Sequence, residues 1–259
     1  MNRIVKHSLN SLGKVYIVGG ALRDAAFRKK FRDLDFVVPP SAGFESGVKR
    51  LAKAVNAACF EMDAENRVWR MTSRGSNPFQ IDIMPIQGGS IEKDLKRRDF
   101  TINALALPLN ADTKLELSEE TGEFSLAIRK KDIIDVCGGL DDIKKKTIRP
   151  VSAGIFREDP VRLLRAFRIA ADLGLKLSPR LLASIKRNSG LIRHSAPERT
   201  REELMKLLKN DESEFWTRQL HAVGLLTKIF PELAAQEKCA VAYYGKGGVL
   251  KHTLCVMVG

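Results

Sequence analysis

The pattern of apolar and polar positions predicts a strand, a turn, a helix and a second strand near the start of the chain. Residues 15–18 are β-branched or aromatic, which favours a strand. Gly19-Gly20 interrupts this strand, and residues 21–27 favour a helix. A second apolar run starts at Asp33. The other predicted elements are arranged around this strand–turn–helix–strand unit.

The rest of the chain divides into a region of mixed strands and helices and a helical region. The first part contains a basic lead-in (1–14), helices (44–57, 91–95, 140–145), strands (59–62, 67–72, 79–86, 133–135), an apolar segment (100–107) and a polar segment expected to be irregular (111–129). A boundary with Pro150 and Gly154 follows at residues 147–154. Beyond it strand signals disappear, and four helices are predicted (156–173, 179–188, 197–209, 212–223). This order predicts an α+β fold.

Three aspartates are the first candidates for a metal-binding site. Asp33 and Asp35 are two residues apart, so in a strand they share one face. Two adjacent carboxylates repel each other unless a cation lies between them, although two loop acids before an edge strand would look the same. Asp82 lies in an alternating apolar strand, where a buried carboxylate needs a partner. A metal shared with Asp33 and Asp35 would be that partner.

The composition of the chain indicates what class of partner it binds and in which cellular compartment it is found. The formal net charge of +13 over 259 residues indicates a polyanionic partner, most simply nucleic acid, with a basic surface kept for solubility as the alternative. Four cysteines without a C-x-x-C pair argue against a zinc site or a disulfide framework and fit a reducing cytosol. No apolar run is long enough to cross a bilayer, and the N-terminus has no signal-peptide pattern. We therefore expect a cytoplasmic protein without a membrane partner.

The predicted helix over residues 156–173 carries a basic stripe. Arg162, Arg165 and Arg168 recur at every third position and share a broad helix face. A solvated basic face and a track for RNA phosphates are both compatible with this stripe. Asp159 precedes Pro160, which is the sequence of a helix N-cap followed by proline in the first turn.

Four motifs in a fixed order resemble one enzyme superfamily. They are GGALRD with the following DLD, then RRDFTINALAL, EDPVRLLRAFRIAADLG and ERTREELMKLL, between about residues 15 and 210. Each motif alone is weak, but together they are similar to the class II tRNA nucleotidyltransferases and bacterial poly(A) polymerases. The sequence is identified as a member of this superfamily.

The resemblance implies a fold and a domain order. A nucleotidyltransferase head of the polymerase-beta-like type, with a mixed sheet of about five strands, would occupy residues 1–150. A helical neck for base recognition and RNA binding would occupy residues 151–210. Residues 211–259 would be the start of a helical body that continues in a longer protein.

The resemblance also implies a role for each residue at a matching motif position. Asp33, Asp35 and, less directly, Asp82 would be catalytic and would bind metal. The nucleotide site would comprise the turn and helix residues that hold the triphosphate (Gly19, Gly20, Arg23), the residues at the ribose (Arg98, Asp99, with Asn103) and the base-reading helix (Glu158, Asp159, Arg162, with Arg165). Glu198, Arg199 and Arg201 would steady the neck helices.

The chemistry implied is attack by an RNA 3′-hydroxyl on the α-phosphate of CTP or ATP, with release of pyrophosphate. Two Mg²⁺ ions would activate the attacking oxygen and neutralise the leaving group, and carboxylates are the ligands that Mg²⁺ prefers. The tRNA 3′ end is the expected partner, and no obligate protein partner is implied. A poly(A) polymerase and a non-catalytic basic RNA-binding protein are the alternatives.

Base choice follows from hydrogen bonding. Asp159 accepts and Arg162 donates, which matches the amino group and ring nitrogen that cytosine and adenine share. Guanine and uracil present the reverse pattern. Capping of the helix by Asp159 competes with this role. The strand that carries Asp82 also lacks the Thr-Phe-Arg ending of well-known tRNA-repairing members, which puts any role of that arginine in doubt.

Overall fold

The computed structural model describes residue 9 and residues 12–110, 112–118 and 120–256, so most of the lead-in predicted over residues 1–14 lies outside the described residues. The chain separates into two compact units, Met1–Ile143 and Lys144–Gly259. The first unit holds the mixed sheet, and the second is mainly helical. The domain assignments made from the sequence stay predictions.

Seven strands of the first unit form one mixed sheet, and two more form a hairpin. The strands are β1 (Tyr16–Val18), β2 (Asp33–Val38), β3 (Ala57–Asp63), β4 (Val68–Ser73), β5 (Gln80–Pro85), β6 (Leu105–Pro108), β7 (Lys114–Ser118), β8 (Glu123–Ala127) and β9 (Ile134–Asp135). The sheet runs in the order β3-β4-β5-β2-β1-β6-β9. Only the β2–β5 pair among the described strands of this sheet is parallel.

Short helices connect these strands. They are α1 (Gly20–Ala26), α2 (Phe44–Ala54), α3 (Ile91–Leu95) and α4 (Gly139–Lys144), with 3₁₀ turns at Thr101–Asn103 and Lys130–Asp132. The side chain of Ser90 caps α3 by accepting a hydrogen bond from the backbone N–H of Lys93. The predicted α+β order is therefore confirmed for this unit.

The sheet has one helix-covered face and one face that carries polar side chains. Leu34, Phe36 and Ile83 are buried and alternate along β2 and β5 with the aspartates. On their face, α2 packs through Phe44 and Leu51, both fully buried. The burial of these large side chains stabilises the sheet by removing apolar surface from water.

The segment predicted to be irregular, residues 111–129, contains the β7–β8 hairpin, so that prediction is wrong. Leu115 pairs with Leu126 and Leu117 with Phe124 across the two strands. Leu115, Phe124 and Leu126 are buried, which gives the alternation typical of a half-buried hairpin. The alternation is present in both five-residue runs, KLELS and EFSLA, so the sequence does carry the signal for this hairpin.

The second unit is built from helices with one small parallel ladder. The helices are α5 (Ile155–Glu158), α6 (Arg162–Leu173), α7 (Pro179–Asn188), α8 (Pro197–Leu208), α9 (Ser213–Ala222), α10 (Leu226–Ile229), α11 (Leu233–Gln236), α12 (Val241–Tyr244) and α13 (Gly248–Val256), with a 3₁₀ turn at Ser189–His194. β10 (Thr147–Ile148) pairs with β11 (Lys176–Leu177). Phe156, Leu163 and Phe167 lie in the buried core of this unit.

Three expectations about element number and extent are wrong. The helix predicted over residues 156–173 is broken between α5 and α6, because Asp159 is extended before Pro160, as residues preceding proline prefer. β11 is a strand beyond the predicted last strand signal. The sheet has seven strands where about five were expected.

Within the part of the chain that the structure describes, no helix combines the length and the apolar character needed to cross a bilayer.

We predict that Gly139→Ala destabilises the first unit. A Cβ at Gly139 would overlap the carbonyl oxygen of Thr101, which belongs to the backbone and cannot rotate away. Overpacking of this kind costs about 1–3 kcal/mol, which urea unfolding will measure. Gly190→Ala is the control, since no atom lies within 4 Å of its Cβ position, and its effect should stay within about 0.5 kcal/mol. Equal stabilities of the two variants would contradict the packing at Gly139.

Candidate active site

A row of polar side chains crosses the open face of the sheet. In register, Asp35 of β2 pairs with Asp82 of β5, and Asp82 pairs with Arg70 of β4. Residues in register project from the same face of a sheet. Asp33 lies two positions before Asp35 and therefore projects from that face as well. The predicted proximity of the three aspartates follows from this register.

Arg70 binds Asp82 through two parallel hydrogen bonds. Its Nε donates to Oδ1 at 2.8 Å and its Nη2 donates to Oδ2 at 2.7 Å. The hydrogen bond to Asp82 raises the pKa of Arg70, and the charges of Asp33 and Asp35 raise it further. Arg70 is therefore the cation that balances this group of carboxylates.

Gly19 allows the strand-to-helix turn to approach Asp35. Its φ of 73° is unfavourable for residues with a side chain. A Cβ at this position would lie 2.9 Å from Oδ2 of Asp35 and 3.2 Å from Nη1 of Arg98. Asp35 and Arg98 therefore meet at the Gly19 backbone, at the start of α1.

Arg98 is held by a buried acid. Its Nη2 donates to Oδ2 of Asp94 at 3.0 Å, and Asp94 also accepts a hydrogen bond from the backbone N–H of Gln87. Asp94 is only 5% exposed. Since α3 fixes Asp94, the helix determines where the guanidinium of Arg98 lies relative to Gly19.

A second polar chain links α1 to the RRDFTIN segment. Arg23 donates to Asp24 on its own helix and, through Nη1, to Oδ1 of Asn103 at 2.8 Å. Asn103 donates to Oδ1 of Asp99 at 3.0 Å. Asn103 and Asp99 are buried. These contacts bring the predicted triphosphate and ribose residues together, and their nucleotide roles stay predictions.

The donors present suit a hard cation at Asp33 and Asp35. Among the described residues, no group of three or more His, Cys, Asp or Glu side chains is arranged to hold a metal ion. Both oxygens of Asp82 accept hydrogen bonds from Arg70, so the negative charge of Asp82 is already balanced by a cation. Mg²⁺ is commonly held by one or two carboxylates together with substrate phosphates, so Asp33 and Asp35 fit it. The role of Asp82 as a metal ligand stays a prediction.

A cavity of about 530 Å³ lies on the other face of the sheet. Leu34, Phe36, Ile81, Leu115 and Phe124 are among the residues that line it, and all are apolar. The aspartates alternate with these residues in β2 and β5, so the cavity is separate from the carboxylates.

The second unit holds the EDPVR motif around the break between α5 and α6. Oδ1 and Oδ2 of Asp159 accept hydrogen bonds from the guanidinium of Arg199 at 3.1 and 2.7 Å. Oδ1 also accepts from the backbone N–H of Val161. Val161, not Asp159, precedes the first residue of α6, so the predicted N-cap of a continuous helix is wrong. Asp159 instead stabilises the turn that leads into α6.

Arg162 lies beside the two acids of the same motif. Its Nη1 donates to Oε2 of Glu158 at 3.2 Å and to the carbonyl oxygen of Ile155. Its Nε is 3.9 Å from Oδ2 of Asp159. Glu158, Asp159 and Arg162 are therefore brought together, as the motif predicts.

The remaining arginines of the stripe pair with a buried glutamate of α8. Arg165 Nη1 donates to Oε1 of Glu203 at 3.0 Å, and Arg168 Nε donates to Oε2 at 2.6 Å. Glu203 is 7% exposed. These contacts join α6 to α8. Two of the three arginines are therefore paired with a buried acid and do not form a freely solvated basic face.

The sequence argument missed Arg70, Asp94 and Glu203. A single arginine in the strand VWRMT gives no signal until the register brings it beside Asp82. Asp94 sits four residues before Arg98, which is a helical ion-pair spacing that could have been used. Glu203 is 38 residues from Arg165, so only the packing of α6 on α8 reveals it.

Two family models match the chain. The model of the poly A polymerase head domain matches residues 15–149, just over half of the chain. A second model, described as a probable RNA and SrmB-binding site of polymerase A, matches residues 174–237.

Curated relatives include two bacterial tRNA nucleotidyltransferases. The chain is 33% identical over 215 residues to a CC-adding tRNA nucleotidyltransferase of Geobacter sulfurreducens, which covers 83% of this chain and 45% of that protein. It is 32% identical over 222 residues to an A-adding tRNA nucleotidyltransferase of Deinococcus radiodurans, with 84% and 45% covered. The chain thus spans about half the length of the curated relatives it matches.

Solved structures that superpose on this chain include enzymes of the same kind as these relatives. A CCA-adding enzyme in complex with ATP superposes with a TM-score of 0.70 and 26% identity, over 89% of this chain and 52% of that one. A Thermotoga maritima CCA-adding enzyme in complex with tRNA has a TM-score of 0.69 and 26% identity, over 90% and 54% of the two chains.

We predict that Glu203→Ala destabilises the second unit by about 2–4 kcal/mol, because it leaves two arginines without their shared buried acid. The exposed part of Arg165 moderates this cost, since water screens its charge. Urea unfolding measures the difference. Glu202→Ala, at the exposed neighbouring position, should change stability by less than about 0.5 kcal/mol. A Glu203→Ala variant as stable as Glu202→Ala would contradict the role of this ion pair.

Proposed function

The chain belongs to the family of the poly A polymerase head domain, and we propose that it is a template-independent RNA nucleotidyltransferase that adds C, A or both to tRNA 3′ ends. CTP and ATP are the donor substrates, and pyrophosphate is released. The activity is a proposal for the whole protein, because the chain spans about half the length of its matched relatives.

The observation that carries the proposal is the convergence of Gly19, Asp35 and Arg98 at the start of α1. A triphosphate needs N–H donors and cations close to a metal-binding carboxylate. The Gly19 turn, the guanidinium of Arg98 and the Asp33–Asp35 pair supply these groups within one small region of the first unit. CCA-adding relatives bind ATP and CTP in solved structures, which supports this use of the site.

Asp33 and Asp35 would hold Mg²⁺, which when bound would activate the RNA 3′-hydroxyl and neutralise charge on the departing pyrophosphate. Asp82 would be the weaker ligand of the three, because its ion pair with Arg70 already balances its charge. Arg98 would donate to the nucleotide from the position that Asp94 fixes. Asp99 and Asn103 would orient the ribose through the network that reaches Arg23.

The base would be selected by Asp159 and Arg162 in the second unit. An ionised carboxylate has about four acceptor positions. Arg199 and the N–H of Val161 occupy three of them, with one on Oδ2. Oδ2 thus retains capacity for the exocyclic amino group that cytosine and adenine share. Stabilising the turn and reading the base are therefore compatible roles for Asp159.

A poly(A) polymerase is the second candidate, because both family models carry that description. Long A tails on unrelated RNA would favour it, whereas addition restricted to tRNA without its 3′ end favours the tRNA enzyme. The RNA-binding model over residues 174–237 supports an RNA partner in both cases. The cytoplasm is the proposed compartment, since the described cysteines are free thiols.

We predict that Asp35→Asn lowers nucleotide transfer on the order of 100-fold or more, because a carboxylate charge that would hold the cation is lost. The assay uses tRNA lacking its 3′ end and labelled CTP or ATP in separate reactions with Mg²⁺. Glu116→Gln, at an exposed position of β7, is the control and should transfer at the wild-type rate. Undiminished transfer by Asp35→Asn would refute the assignment of the carboxylates.

A further inference from the structure

We propose that the open face of β5, β4 and β3 is the track for the single-stranded 3′ end of the RNA, with Arg70 at a phosphate and Phe60 under an upstream base. The inference rests on the proposed function and names where its second substrate lies.

The chemistry of transfer indicates the side of Asp35 from which the RNA approaches. In an in-line displacement, the attacking oxygen and the leaving pyrophosphate lie on opposite sides of the α-phosphate. Gly19, in the turn between β1 and α1, and the guanidinium of Arg98 beside it lie on one side of Asp35 and would hold the triphosphate. The 3′-hydroxyl must then approach from the other side of Asp35, where β5, β4 and β3 follow in the sheet.

The row through Asp35 changes in exposure along this direction. Val18 and Ala106, its partners towards the triphosphate side, are fully buried. On the other side the row continues through Asp82 and Arg70, both partly exposed, to Phe60. Only this half of the row is accessible to a polymer.

Phe60 lies at the end of the row, on the edge strand. Its side chain is 49% exposed, and Met62, at the register shift that follows on this strand, is 47% exposed. Cys59 and Glu61 alternate with Phe60 and point to the face covered by α2, where Lys49 lies over the Trp69 ring. An exposed aromatic ring beside a polar row is the platform on which proteins stack single-stranded bases.

The span of the row sets which nucleotide reaches the ring. Asp35 and Phe60 are three strand spacings apart, or about 14 Å. A stacked strand advances about 3.4 Å per nucleotide, so the ring lies about four nucleotides from the reacting end, and fewer for an unstacked strand. Phe60 therefore contacts a base upstream of the 3′-terminal one.

Arg70 is oriented for a phosphate between these two points. Asp82 accepts from Nε and Nη2, which leaves the Nη1 edge of the guanidinium for another acceptor. Arginine binds phosphate oxygens through such planar N–H groups. Asp82 thus acts as a positioning residue for Arg70. The second row, with Thr72 and Gln80 in register with Asp33, adds neutral polar groups alongside.

The test uses short single-stranded RNAs that carry 2-aminopurine at one of the last four positions, because stacking on an aromatic ring quenches its fluorescence. Binding to the full chain should quench the probe at an upstream position and leave the 3′-terminal probe unchanged. Phe60→Ala should abolish this quenching and weaken binding roughly 5- to 100-fold. Phe60→Trp should restore it. Tyr243→Ala, which removes a ring 84% exposed in the second unit, is the control and should behave as wild type.

The phosphate contact of Arg70 is tested separately, by the salt dependence of RNA binding. The double variant Arg70→Gln/Asp82→Asn removes the ion pair without leaving an unpaired carboxylate. Loss of one phosphate contact should lower the slope of log affinity against log salt by about 0.7. An unchanged slope would refute the phosphate role of Arg70.

The proposal is overturned if Phe60→Ala and wild type quench every probe position alike, or if wild type quenches none. Neither result affects the proposed function, which fails separately if the wild-type chain transfers no nucleotide to any RNA. A Phe60→Ala variant with an unchanged melting temperature shows that the lost quenching is not due to unfolding.

Discussion

Carboxylates on one face of a sheet repel each other, and the head of this chain depends on how that repulsion is balanced. Asp33, Asp35 and Asp82 share the open face of β2 and β5. Arg70 neutralises Asp82 through two hydrogen bonds, and Arg98 approaches Asp35 at the Gly19 turn. We propose that a divalent cation balances the charge of Asp33 and Asp35. The site is therefore a set of carboxylates whose charges are balanced by arginines and, in the proposed function, by a metal.

In the proposed function this balance would also divide the reaction spatially. The triphosphate would lie towards β1 and α1, where Val18 and Ala106 are buried, and the RNA would lie towards the exposed edge strand β3. The proposed base-reading residues belong to the second unit, in which Arg199 holds Asp159 and Arg162 lies beside it. Transfer and base selection would then depend on separate charge networks, so a mutation could affect one without the other.

The strand period and the motifs predicted the α+β fold and the shared face of Asp33 and Asp35, because both depend on local spacing. The β7–β8 hairpin could have been predicted, because KLELS and EFSLA both alternate polar and apolar residues, although each run covers only five residues. The break before α6 was missed because proline is compatible with a first helical turn. Arg70 and Glu203 could not be predicted, since their partners are set by strand register and helix packing and not by any sequence signal near them.

The most direct test is calorimetric titration of Mg²⁺ into the chain with a non-reacting CTP analogue. Our account predicts that Asp35→Asn weakens metal binding by at least about 10–100-fold, the cost of losing even an outer-shell partner, whereas Asp82→Asn weakens it much less because Arg70 already balances the charge of Asp82. Metal binding that is lost as strongly in Asp82→Asn as in Asp35→Asn, with both variants folded, would contradict this division of roles.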